Sequence, residues 1–221
     1  MKQLVLDIAP SPAPTLDNFV SGRNLELLIA LDAFARGDGA RFIYVWGAGG
    51  SGRSHLLQAV LTAAQGAGRP ARPFTAETAP ESLLGALVVA DDVHRLEDEA
   101  QVALFNLYNR LRIGAAGGAL LASGDAAPAQ LAVREDLRTR LAAGLVYQLH
   151  ALNDEEKAAA LVRHAQARGF ALTREVTDYL LRHTQRDLPS LLALLDALDR
   201  YSLASKRAVT VPLLRELLDD K

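Results

Sequence analysis

The segment Gly47-Ala48-Gly49-Gly50-Ser51-Gly52-Arg53-Ser54 decides the fold, because it stands between an apolar run at Phe42–Trp46 and a helical stretch at His55–Ala64. Glycines let backbone N–H groups converge on phosphate oxygens, and the N-terminus of the following helix directs positive charge to the same point. Arg53 would supply the cation for the β- and γ-phosphates, and Ser54 would supply the hydroxyl for Mg²⁺. The pattern predicts a P-loop in which arginine replaces the usual lysine. The alternative is a glycine-rich turn between strand and helix.

Two carboxylates, Asp91 and Asp92, follow the apolar run Leu87–Ala90 about 40 residues after the P-loop. At the carboxyl end of a buried strand they would form a Walker B pair, in which Asp91 holds Mg²⁺ through water and Asp92 orients an attacking water. The alternative is a turn or a helix cap. Ser123-Gly124-Asp125 ends the next apolar run, where a polar side chain could contact a γ-phosphate or form a simple turn.

Short apolar runs alternate with amphipathic stretches from about residue 15 to residue 150, which predicts βαβ units in a parallel sheet. The five runs are Phe42–Trp46, Ala71–Phe74, Leu87–Ala90, Ala119–Ala122 and Leu145–Leu149. From residue 151 the strand signal is absent, and capping residues at Asn153, Thr173 and Asp187 indicate successive helices. The expected fold is α/β, with a five-stranded parallel sheet in residues 15–150 and a small all-helical subdomain in residues 151–221.

Composition excludes several classes of protein. The 221 residues include no cysteine, which excludes a disulfide framework and thiolate metal sites. No segment approaches the roughly 20 continuous apolar residues of a membrane span, and the N-terminus lacks the apolar run of a signal peptide. We therefore expect a cytoplasmic protein with no membrane partner. The formal charge of −2 argues against a dedicated DNA-binding protein, and the five histidines show no metal-ligand spacing.

Taken in order, these segments resemble the AAA+ module of the DnaA family of bacterial replication initiators. They are most similar to its shorter Hda-like members, the regulatory inactivators of DnaA, in which arginine stands at the position of Arg53. The resemblance covers nearly the whole chain. The similar segments are residues 15–24 (the opening box), 46–57 (the P-loop), 105–111, and 168–170, 194–202 and 206–212 (the lid).

The resemblance implies an AAA+ P-loop NTPase core followed by a helical lid, with ADP or ATP and Mg²⁺ as cofactors. Ser54 and Asp91 would hold the metal. One position departs from the family, because Pro189 stands where a sensor-2 arginine is usual, and Arg186 is the nearest substitute. The implied nucleotide-binding residues are Phe19, Val20, Gly47, Gly49, Gly50, Ser51, Gly52, Arg53, Ser54 and His55.

The resemblance also implies partners. Residues 1–14 would be an extended tail in which Gln3, Leu4, Leu6 and Ile8 bind the DNA polymerase sliding clamp. DnaA continues into a helix-turn-helix domain and this chain ends at residue 221, so DNA contact is expected to be mainly indirect, through the clamp. Self-association into a homo-oligomer is compatible with the same resemblance.

The implied function is inhibition of replication re-initiation by stimulation of ATP hydrolysis on DnaA. Arg140, which lies just before the last strand, would act as an arginine finger on the nucleotide of DnaA, and Asp92 would contribute weakly at the chain's own site. The chain would then be an activator with at most weak ATPase activity of its own. The alternatives are an autonomous AAA+ ATPase such as a helicase loader, and a DNA-binding accessory factor.

Overall fold

The computed structural model describes residues 13–75, 77–78, 80–114, 118–184 and 187–219. These residues form two compact units, one made by Ala13–Ala151 and the other by the chain from Leu152 onward. No helix in the described ranges is long and apolar enough to cross a membrane.

The first unit is built on a five-stranded sheet in which every pairing is parallel. The strand order is β2-β3-β4-β1-β5, so β4 lies between β1 and β3. This arrangement confirms the predicted parallel five-stranded sheet. The strands are β1 (Phe42–Trp46), β2 (Ala71–Pro73), β3 (Leu87–Ala90), β4 (Ala119–Gly124) and β5 (Leu145–Gln148).

Helices cover both faces of the sheet, because neighbouring residues of a strand point to opposite faces. On β1, Ile43 and Val45 pack with the helices α1 and α2, whereas Tyr44 packs with α3 and α4. The unit therefore has three layers. The helices are α1 (Leu25–Arg36), α2 (Arg53–Gly66), α3 (Asp98–Ile113) and α4 (Glu135–Ala142), with short 3₁₀ turns at Pro80–Leu83, Val93–Arg95 and Pro128–Gln130.

The second unit is entirely helical within its described residues. Asn153 and Glu156 form a capping box, because each side chain accepts from the other residue's backbone N–H at 2.8 Å. Thr173 and Asp187 accept from the backbone N–H groups of Val176 and Ser190 in the same way. These contacts confirm the three predicted caps. The helices are α5 (Asp154–Ala167), α6 (Arg174–His183), α7 (Leu188–Ser205) and α8 (Val211–Asp219).

Candidate functional site

The carboxyl ends of β1, β4 and β3 bring the predicted site segments together. The P-loop follows β1, Ser123 and Gly124 end β4, and Asp91 follows β3. Neighbouring strands lie roughly 4.8 Å apart, so the three segments meet at one edge of the sheet. The backbone N–H of Gly47 donates to the carbonyl of Gly124 at 3.2 Å, which joins the P-loop to the end of β4.

The P-loop backbone combines left-handed glycines with the N-terminus of a helix. Gly50 and Gly52 have φ angles of +75° and +101°, which L side chains rarely adopt. A Cβ added at Gly49 would meet no atom within 4 Å, so the loop is open on that side. The helix α2 begins directly after Gly52 and carries no acidic residue in its first turn. The Ser51 hydroxyl is buried without a hydrogen-bond partner among the described residues. A phosphate group therefore fits this loop, because the helix N-terminus favours an anion.

Arg53 lies within this loop, but its guanidinium contacts protein groups. The side chain is only 9% exposed. Nη2 donates to Oδ1 of Asp92 at 2.6 Å, and Nε donates to the same oxygen at 3.3 Å. Nη1 donates to the carbonyls of Gly47 and Ala48, the latter at 3.0 Å. The predicted phosphate cation is thus paired with the second Walker B carboxylate, a contact that the sequence analysis did not anticipate.

The two carboxylates after β3 have different surroundings. Ser123 is fully buried, and its hydroxyl donates to Oδ1 of Asp91 at 2.5 Å while it accepts from the backbone N–H of Asp92 at 2.9 Å. Asp92 adopts a left-handed φ of +45°. Asp91 and Ser54 are exposed to solvent. No group of three or more metal-ligating His, Asp or Glu side chains occurs in the described ranges, so Mg²⁺ would need phosphate oxygens as further ligands.

The opening box packs on the P-loop. The rings of Phe19 and His55 lie 5.6 Å apart, and a Cβ at Gly52 would stand 3.1 Å from the Phe19 ring. His55 Nε2 lies 3.0 Å from Oδ1 of Asn18, and Val20 is half-buried. Burial lowers the pKa of His55 below its usual value, which favours the neutral ring.

Buried Asn24 joins the end of the opening box to the segment that follows β5. It donates to the carbonyl of His150 at 2.9 Å and accepts from the backbone N–H of His150 at 2.8 Å. A side chain that satisfies both backbone groups of one residue holds the two segments in a fixed register.

Arg140 lies in the last turn of α4 and is not among the hydrogen-bond partners of Arg53. Its guanidinium carbon lies 5.6 Å from the ring centroid of Phe105 on α3, and its Nε is buried without a hydrogen-bond partner in the part of the chain that the structure describes. The nearby arginines are paired, Arg134 with Asp136 at 3.0 Å and Arg138 with Glu135. Arg140 is therefore held by an aromatic ring that leaves its charge unneutralised.

Five predicted residues cannot be placed. Gln3, Leu4, Leu6 and Ile8 of the tail and Arg186 of the lid lie outside the described residues.

The chain is similar to known proteins both in sequence and in structure. The family model "Hda, lid domain" matches residues 154–218. An uncharacterized protein of Haemophilus influenzae is 35% identical over 230 residues, which cover 99% of each chain. Domain III of the Thermotoga maritima replication initiation protein DnaA superposes with a TM-score of 0.75 and 21% identity, over 95% of this chain and 97% of that one. AMPPCP-bound DnaA from Aquifex aeolicus gives a TM-score of 0.68 and 20% identity, over 88% of this chain and 70% of that one.

The structural matches show the fold, and the matches in sequence extend the likeness to the lid and to the full length of the chain. The chain therefore belongs to the same family as the Haemophilus influenzae protein, has the fold of a DnaA AAA+ domain, and carries an Hda-type lid in residues 154–218.

Proposed function

We propose that this protein binds an adenine nucleotide at its P-loop and stimulates ATP hydrolysis on DnaA, and so limits re-initiation of chromosome replication. The observation that carries the proposal is the state of Arg140, whose charge has no acidic partner among the described residues and whose side chain rests on Phe105. An arginine that acts on another protein's nucleotide must keep its charge and remain presented in one direction. The Hda-type lid and the DnaA-like fold support DnaA as the partner.

The nucleotide would be held mainly by the backbone. The N–H groups of the P-loop and of the first turn of α2 would bind the phosphates, while Phe19 and Val20 would contact the adenine. Bound Mg²⁺ would neutralise phosphate charge, with Ser54 and Asp91 as its protein ligands. ADP needs no γ-phosphate contact, so the engagement of Arg53 with Asp92 is compatible with ADP as the working ligand.

Arg140 would perform its chemistry in trans. Transfer of a phosphoryl group builds negative charge on the γ-phosphate oxygens, and a guanidinium placed there stabilises that charge. Arginine fingers accelerate GTPases by roughly 10³–10⁵, which corresponds to about 4–7 kcal/mol of barrier. A surface ion pair contributes about 1 kcal/mol or less. Loss of Arg140 should therefore greatly reduce the hydrolysis rate if Arg140 is an arginine finger, and should change it little if Arg140 is only a solvated charge.

The tail would bring the protein to its target. We propose that Gln3, Leu4, Leu6 and Ile8 bind the sliding clamp, so that contact with DNA is mainly indirect and DnaA is met near replicated DNA in the cytoplasm. The length of the tail and its apolar side chains suit an extended peptide bound to a groove.

An autonomous ATPase is the second candidate, and one observation favours it. The P-loop, Asp91 and Ser123 meet at one edge of the sheet, as the chain's own hydrolysis would require. Measuring ATP turnover of the protein alone, of DnaA alone and of both together separates the candidates, and calorimetry with ADP tests nucleotide binding directly. We expect clear ADP binding and very slow turnover by the isolated protein. A turnover of several per second without DnaA would favour the autonomous ATPase.

A further inference from the structure

The contacts of Arg53 use almost all of its hydrogen-bonding capacity. A guanidinium has five N–H donors. Four of these donors are engaged, two by Oδ1 of Asp92 and one each by the carbonyls of Gly47 and Ala48. The side chain is 9% exposed, so water does not provide an alternative set of partners.

Asp92 is fixed from the other side. Its backbone N–H donates to the buried hydroxyl of Ser123 at 2.9 Å, and its left-handed conformation places the carboxylate opposite Arg53. Its second oxygen, Oδ2, lies 3.7 Å from Nη1 of Arg95. The carboxylate that spacing predicts as the water-orienting group thus faces two guanidinium groups.

We propose that Arg53 restrains hydrolysis at the chain's own site by holding Asp92 as its counter-ion, while the P-loop backbone still binds nucleotide. To orient an attacking water, Asp92 must accept a hydrogen bond from that water, and its Oδ1 already accepts two from Arg53. The Arg53–Asp92 pair is a positioning pair, and it allows the site to bind nucleotide without hydrolysing ATP. This inference rests on the proposed nucleotide binding and is independent of the action on DnaA.

The replacement of lysine by arginine is what permits this pairing. An ammonium is a compact point charge on a flexible stem, and a P-loop lysine follows the β- and γ-phosphates. A guanidinium is a planar fork, so Arg53 reaches Asp92 with Nε and Nη2 while Nη1 binds the two loop carbonyls. Lysine has no comparable geometry and would leave Asp92 free when phosphates are bound.

The first test needs no nucleotide. Thermal unfolding midpoints are measured for Arg53→Ala, Asp92→Ala and the double variant. Because removal of one partner leaves a largely buried charge without its hydrogen-bonded counter-ion, each single substitution should lower the midpoint. The double variant should unfold no earlier than the worse single variant. The exposed pair of Asp32 and Arg36, 2.5 Å apart, is the matched control and should give small, additive shifts. Additive lowering by the Arg53 and Asp92 substitutions would overturn the proposal.

The second test measures ATP turnover and ADP affinity of the isolated protein. Arg53→Lys should raise turnover at least about ten-fold with ADP affinity retained, since a positioned carboxylate contributes on the order of 10²–10⁴ in rate. Adding Asp92→Asn to Arg53→Lys should abolish the gain in ATP turnover. Asp92→Asn should reduce turnover far more in the Arg53→Lys variant than in the wild-type protein. No gain in Arg53→Lys, or a gain that survives Asp92→Asn, would overturn the proposal. Both tests omit DnaA, so failure of the Arg53–Asp92 proposal is distinguished from failure of the proposed action on DnaA.

Discussion

Gly124 ends β4 beside the P-loop, and replacing it by alanine tests the packing that places the site. An added Cβ would overlap the hydroxyl oxygen of Tyr44 and would stand 2.9 Å from Cδ1 of Leu131. Tyr44 is almost fully buried, and its hydroxyl donates to the carbonyl of Ala126 at 2.8 Å. The ring must therefore move, and that hydrogen bond is lost.

The cost follows from these contacts. Overpacking a core costs about 1–3 kcal/mol, and leaving the Ala126 carbonyl unsatisfied costs about 1–3 kcal/mol more. We expect Gly124→Ala to lower the free energy of unfolding by about 2–6 kcal/mol. Tyr44→Phe alone also leaves the Ala126 carbonyl unsatisfied and should cost about 1–3 kcal/mol. Because Tyr44→Phe removes the atom that the Cβ overlaps, the double variant should be no less stable than Gly124→Ala.

The single tryptophan provides the assay. Trp46 is the residue of β1 that pairs with Gly124, so its fluorescence during urea unfolding reports on this unit. Gly66→Ala is the control, because a Cβ there meets nothing within 4 Å and alanine favours the helix by up to about 1 kcal/mol. A Gly124→Ala variant as stable as Gly66→Ala, or strictly additive losses with Tyr44→Phe, would refute the reasoning.

Three further predictions test other parts of the structure. Burial lowers the pKa of His55 below its unfolded value of 6.5, so the unfolded state binds more protons and the stability should fall as the pH drops through about 6.5. In urea titrations at pH 7.5 and 5.5, His55→Gln should remove that part of the acid sensitivity. An unchanged pH dependence would contradict the assignment. Asn24→Ala breaks both hydrogen bonds to the backbone of His150 and should lower the free energy of unfolding by about 2–3 kcal/mol. A loss below about 0.5 kcal/mol would show that these bonds do not hold the opening box to the segment after β5. Changing Gln3 and Leu6 together to alanine should abolish sliding-clamp binding in a direct assay while ADP binding persists. A buried leucine contributes about 2 kcal/mol to the binding free energy, which a weakly binding peptide cannot lose. Unchanged clamp affinity would show that the tail does not bind the clamp.

The sequence was sufficient to predict β1, β3 and β4, because strands buried on both faces are continuous apolar runs. The edge strands β2 and β5 are mostly exposed, and only their position between helical patterns predicted them. The predicted and observed starts coincide at all five strands, from Phe42 to Leu145. The main difference is the end of β4, which the apolar pattern places at Ala122 and the structure places at Gly124. Polar Ser123 continues the strand because its buried hydroxyl is satisfied by Asp91 and by the backbone of Asp92.

The contacts within the candidate site were harder to predict. The pairing of Arg53 with Asp92 joins residues 39 positions apart, and it depends on β4 lying between β1 and β3, which the sequence pattern does not specify. The P-loop motif also favoured a different partner for Arg53, since lysine at that position binds phosphate. The contact of Arg140 with Phe105 is likewise a product of helix packing, because it joins α4 to α3.

The most direct measurement of the central claim is ATP hydrolysis by DnaA, in the presence of clamp-loaded DNA, with wild-type protein and with Arg140→Ala. The variant loses only a cation–aromatic contact of about 0.5–1 kcal/mol, so it should fold, bind ADP and bind the clamp. Arg138→Ala is the control. Arg138 lies two positions before Arg140 and carries the same charge, but it is paired with Glu135, so this variant should stimulate normally. We predict that Arg140→Ala fails to stimulate hydrolysis by DnaA. Stimulation by Arg140→Ala at the wild-type level would contradict the account.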